Sequence, residues 1–116
     1  MDVLVLGHLG SERMMLERFL ADAGHEVAVC HDGSWGCVGM DWVCPLDERM
    51  IDVAVAAAEA GDRFDPHGIA CAYRAGVPLV TVGATPNDPV LRYATAAVGR
   101  VDQELLDVLV DVRTSP

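Results

Sequence analysis

The residues in this sequence with the clearest capacity for chemistry are four cysteines, Cys30, Cys37, Cys44 and Cys71. Six residues separate Cys30 from Cys37, and six separate Cys37 from Cys44. Thiolates are soft anionic ligands, and four that converge can hold a structural zinc or an iron–sulfur cluster. Structural zinc sites favour Cys-x2-Cys knuckles, and the chain has none. Cys44-Pro45 resembles the Cys-Pro ending of ferredoxin motifs. These features point to an iron–sulfur cluster first and zinc second, with all four cysteines as ligands. The role would be electron transfer, redox sensing or a structural subunit. Trp35, Val38 and Trp42 would form the apolar shell that limits solvent and tunes the potential. The same cysteines also read as small buried hydrophobes, above all Cys30 at a strand end and Cys71 in an alanine-rich helix. A thiol switch between Cys37 and Cys44 is a further reading.

Other candidates carry less. Gly7-His8-Leu9-Gly10-Ser11 follows a strand and opens a helix, so an anion could approach the helix N-terminus there. Nucleotide or small-molecule binding at this turn is therefore an alternative function. The third glycine of the dinucleotide fingerprint and the P-loop lysine are both missing. His8 and His31 fall near the carboxyl edge of the expected sheet, with His31 beside Cys30. Glu59, Asp62 and Asp65 make an acidic rim, where Asp65 also serves as a helix cap. No catalytic triad is readable. Ser11 is explained as a cap, Ser34 has no evident base, and the chain is not read as an enzyme.

The elements that must position these residues follow from hydrophobic patterning. Val3 to Leu6 is a continuous apolar run, as in strands covered on both faces. Ser11 then heads a helix that carries Met15, Leu16, Phe19, Leu20 and Ala23 at helical spacing, with Met15 in the core, and Gly24 stops it. His25 to Cys30 is a second strand. From His31 to Met50 the periodicity fails, and that stretch holds both tryptophans and two of the cysteines. Asp52 to Ala58 is a buried strand. Asp65-Pro66 starts a helix that Gly76 ends. On it Ile69, Ala72 and Tyr73 face the sheet, and Cys71 faces away, on the side of His67. Val77 to Val82 is a fourth strand, Pro86 to Ala94 a loop with a helix, and Ala96 to Val98 a weak fifth strand. Asp102 to Val112 is a helix with Leu105, Leu106, Leu109 and Val112 on its inner face.

Strands that alternate with helices imply right-handed βαβ units and a parallel sheet. The expectation is a single α/β domain over residues 1–116, doubly wound and five-stranded in the order 2-1-3-4-5. A Cys/Trp/Gly-rich loop over residues 31–50 replaces the second helix. In that order the loop lies beside the helix of Cys71, which is how the four cysteines would meet. The net charge is −10, with eight arginines and no lysine, which argues against nucleic acid or an anionic membrane as the main partner. The N-terminus shows neither a basic n-region nor a long apolar stretch, so the expected location is the cytoplasm. The expected partner is another protein.

Along nearly its whole length this pattern resembles a response-regulator receiver domain. The best local match is Val77-Pro78-Leu79-Val80-Thr81-Val82-Gly83-Ala84, which is similar to the fourth receiver strand. The receiver chemistry does not transfer with it. Gly7 and His8 stand where receivers place magnesium-holding acids. Ala57 and Ala58 stand in place of the phospho-accepting aspartate. Gly83 replaces the hydroxyl residue after the fourth strand, and Arg100 is the nearest counterpart of the lysine after the fifth. The resemblance implies a pseudo-receiver, and a metal-free protein-interaction module is therefore the alternative to the metal-binding reading.

Overall fold

A computed structural model of the chain describes residues 1–6, 11–29, 51–57 and 66–114, and the structural statements below concern those residues. Five strands form one parallel sheet in the order β2-β1-β3-β4-β5. They are β1 (Asp2–Leu6), β2 (Glu26–Val29), β3 (Val53–Ala57), β4 (Leu79–Val82) and β5 (Ala96–Val98). Three helices, α1 (Ser11–Asp22), α2 (Pro66–Arg74) and α3 (Gln103–Thr114), and a 3-10 turn, η1 (Pro89–Arg92), complete the described elements. This is the doubly wound order expected from the sequence. The irregular segment 31–50 lies outside the described residues.

Side chains alternate across a strand, and here both faces are covered, so β1 and β3 read as unbroken apolar runs. Val3, Val5, Val53, Val55, Val80 and Val82 meet Leu16 and Leu20 of α1 and Leu105, Leu109 and Val112 of α3. On the opposite face Leu4, Leu6, Ala54, Ala56 and Leu79 meet Ile69 and Ala72 of α2 and Val90 of η1. The parallel register sets Val3 beside Val53 and Ala56 beside Thr81.

Two glycines end helices as expected. Gly24 has φ 92° and Gly76 φ 74°. The amides that follow reach back to the last turns, with His25 N donating to Leu20 O at 3.1 Å and Val77 N to Ala72 O at 3.1 Å. With Gly24 N donating to Ala21 O and Gly76 N to Tyr73 O, each end is a Schellman closure. A Cβ at either glycine would meet nothing within 4 Å, so the left-handed backbone, and not crowding, is what calls for glycine.

Two expectations about side chains, those for Met15 and Tyr73, need correction. Met15 is 66% exposed, because the buried stripe of α1 runs through Arg13, Leu16 and Leu20 and leaves Met15 to one side. Arg13 instead is only 5% exposed, with its Nε 3.4 Å from Glu17 Oε2 one turn on. Tyr73 does not face the sheet. It is exposed, and among the described side chains of α2 Ile69 and Ala72 are the ones buried against the sheet.

Thr81 in β4 is fully buried, and its hydroxyl has no hydrogen-bond partner among the described residues. A buried, unsatisfied hydroxyl costs about 1–3 kcal/mol in lost hydration. Thr81→Val keeps the branched shape and removes that loss. The variant is expected to raise the unfolding free energy by about 1 kcal/mol, read as a higher urea midpoint with an unchanged slope.

Candidate functional site

Open α/β sheets bind ligands at the carboxyl ends of their strands. Here Leu6, Val29, Ala57, Val82 and Val98 end the five strands. Ala57 is buried and pairs with Val82. Gly83 follows β4 with φ 83°, and its amide donates to Val98 O at 2.9 Å, tying the ends of β4 and β5 together. Arg100, beyond β5, is 86% exposed, and its Nε lies 3.3 Å from Asp102 Oδ2. A surface pair of this kind contributes little to stability, but it gives the guanidinium a carboxylate of its own chain to meet. The described strand ends at this edge are thus apolar, and Arg100 with Asp102 supplies its described ion pair. The strand ends that would flank a phosphoryl group, β1 and β3, close on Leu6 and Ala57. An alkyl side chain cannot accept a phosphoryl group or ligate a cation.

The described histidine with a displaced titration is His25, which precedes β2 at the opposite end of the sheet. Burial, and secondly the charge of the terminal amine 3.5 Å from its Nδ1, lower its pKa from the ordinary value.

Of the cysteines, Cys71 is described, half-buried on α2. Cys30, Cys37 and Cys44 lie outside the described residues. So do Trp35, Val38 and Trp42, His8 and His31, Gly7 and Gly10, and Glu59, Asp62 and Asp65.

The chain is receiver-like in fold. It is similar to the receiver domain of the sensor histidine kinase PA1611 from Pseudomonas aeruginosa, at TM-score 0.67 and 15% identity over 98% of both chains. That domain was solved with a magnesium ion coordinated in its active-site cleft. It is also similar to the pseudo-receiver domain of the CikA protein, at TM-score 0.65 and 20% identity over 99% of this chain and 98% of that one. A response regulator from Burkholderia multivorans aligns at TM-score 0.51 and 20% identity over 99% of this chain and 95% of that one. No protein family and no curated protein matches the chain.

These findings overturn the expectation that Cys30, Cys37, Cys44 and Cys71 hold an iron–sulfur cluster, or zinc, for electron transfer, redox sensing or a structural role. The structural neighbours are receivers and a pseudo-receiver, not metal–thiolate proteins. Among the described residues no group of three or more His, Cys, Asp or Glu side chains could hold a metal ion. The physical reason starts from the fold. Among the described residues Ile69 and Ala72 dock α2 on the sheet through ordinary apolar burial, as on the opposite face Leu16 and Leu20 do for α1. An exposed aromatic contact that hydrophobic patterning does not mark joins Tyr73 and Tyr93, whose rings lie 5.2 Å apart, edge to face at 77°. The available signal was the neighbourhood of each, Tyr73-Arg74 and Arg92-Tyr93.

Proposed function

We propose that the chain, as a single domain over residues 1–116, is a metal-free pseudo-receiver module that binds another protein in the cytoplasm and does not accept a phosphoryl group. The observation that carries this reading is the pairing of receiver strand order with the wrong residues for receiver chemistry. The sheet runs β2-β1-β3-β4-β5, yet β3 ends on Ala57 at the expected acceptor position. Gly7 and His8 stand in place of the cation-holding acids, and Gly83 in place of the hydroxyl residue. Phosphoryl transfer depends on a positioned nucleophile and on charge neutralisation of the transferring group. Neither can come from alanine or glycine.

Two further features support a cytoplasmic, protein-directed role. Among the described residues no helix is long and apolar enough to cross a membrane. The net charge of −10 opposes binding to polyanions. The test is incubation with acetyl phosphate and magnesium, followed by intact mass spectrometry. The expected spectrum shows the unmodified chain alone. Stoichiometric addition of one phosphoryl group would retire the proposal and return the protein to the phosphorylated receivers.

A further inference from the structure

Helix α2 and turn η1 lie over the same face of the sheet, since Ile69, Ala72 and Val90 share one apolar cluster. Their outward ends meet through Tyr73 and Tyr93. Tyr73 is 62% exposed and Tyr93 44% exposed, so this aromatic pair faces solvent. Arg74 and Arg92 adjoin the two tyrosines in the chain and are also exposed. No ion pair engages either arginine among the described residues. On the same face Ala97 of the edge strand β5 is uncovered, because it pairs with Thr81 and so faces the side of α2. The backbone beneath is held firmly. Asp88 caps η1 by accepting the Val90 amide at 2.9 Å, Pro89 opens the turn, and Tyr93 N donates to Val90 O at 3.0 Å.

We propose that Tyr73, Arg74, Arg92 and Tyr93 form the docking surface for an acidic segment of a partner protein. This deepens the pseudo-receiver reading and rests on it. The argument for that occupant is charge complementarity. The chain carries 18 acidic and 8 basic residues, and here two exposed arginines, with no ion pair among the described residues, adjoin in the chain the members of an exposed aromatic pair. Tyrosine and arginine are the residues over-represented where binding energy concentrates. Arginine presents a planar fork that fits carboxylates, while the tyrosine rings offer apolar area at low entropic cost. A twofold contact of the patch with itself would set arginine against arginine and so disfavours a second copy. Nucleic acid is disfavoured by the overall charge.

The test uses a short fluorescein-labelled peptide that alternates Glu with Leu and Tyr. Controls are the same peptide with Lys in place of Glu, and labelled oligothymidine. The acidic peptide is expected to raise anisotropy at low salt and to be weakened by added salt. Arg92→Glu and Tyr73→Ala are each expected to weaken binding about tenfold or more. Thermal melts check folding, and Arg92→Lys, which keeps the charge and loses the fork, is expected to fall between wild type and Arg92→Glu. Amide chemical-shift changes in the wild-type protein should centre on residues 71–76 and 89–97. Shifts centred elsewhere would overturn the docking surface while leaving the interaction module intact. Equal binding of the Lys peptide, preference for oligothymidine, absence of any binding, or self-association abolished by Arg92→Glu would each overturn the proposal. Phosphoryl addition from acetyl phosphate remains the separate failure of the underlying reading.

Discussion

Leu109→Ala is expected to destabilise the fold by about 2–5 kcal/mol, measured as a lower urea midpoint at an unchanged slope. Leu109 is fully buried, and it lies in α3 four residues after Leu105 and three before Val112. That spacing lines one stripe of the helix against Val3, Val53 and Val80 at the centre of the sheet. Truncation removes the transfer free energy of the lost carbons and leaves a cavity that parallel strands, fixed on both sides, cannot close. Natural domains of this kind have about 5–15 kcal/mol in hand, so the loss is a large part of the total. The melting temperature should fall by on the order of 10 °C. Val110 is the matched control one residue away. Its side chain is exposed, and Val110→Ala is expected to stay within about 0.5 kcal/mol of wild type. Similar losses at the two positions would mean that α3 does not dock through its Leu105–Leu109–Val112 stripe.

Much of this architecture was legible because its cause is local. Continuous valine and alanine runs report strands covered on both sides, and Gly24 and Gly76 report helix stops that need positive φ. The receiver resemblance was legible for the same reason, since strand–helix alternation nearly dictates strand order. What was not legible depended on which neighbour a side chain meets. Met15 and Leu16 are equally apolar and adjacent, and only the docked angle of α1 decides that Leu16 is covered. Tyr73 sits near the edge of the inward arc of α2, and its place was settled by Tyr93, twenty residues later in the chain. Arg13 and Thr81 show the converse, polar residues in buried positions that composition alone would put outside. The cluster expected of the cysteines rested on spacing alone. Spacing along a chain constrains ligands only where the intervening backbone is short and turned, as in a knuckle, and six intervening residues impose no such constraint.

The strongest test of the alanine-lined face is to charge it. Ala56→Asp is expected to destabilise the protein by more than about 4 kcal/mol at neutral pH. Ala56 is buried in β3, the middle strand, among Leu4, Leu6, Ile69 and Ala72, with Thr81 as its register partner. The orphaned Thr81 hydroxyl could donate one hydrogen bond to the new carboxylate, which falls short of the solvation lost by a buried charge. Desolvation would therefore raise the carboxyl pKa in the folded state above its unfolded value near 3.9. Between those two values the folded state binds more protons than the unfolded state, so stability falls as pH rises. The defect should accordingly be mildest in acid and grow towards neutrality, in proportion to the pKa shift. A second variant, Ala56→Asn, separates charge from volume. It should cost less than the aspartate at neutral pH and show no such dependence. Equal stability of wild type and Ala56→Asp at neutral pH would mean that this face is open to water. In that case α2 would not be fixed over the sheet, and the Tyr73–Tyr93 surface would lose the rigid base on which its geometry depends.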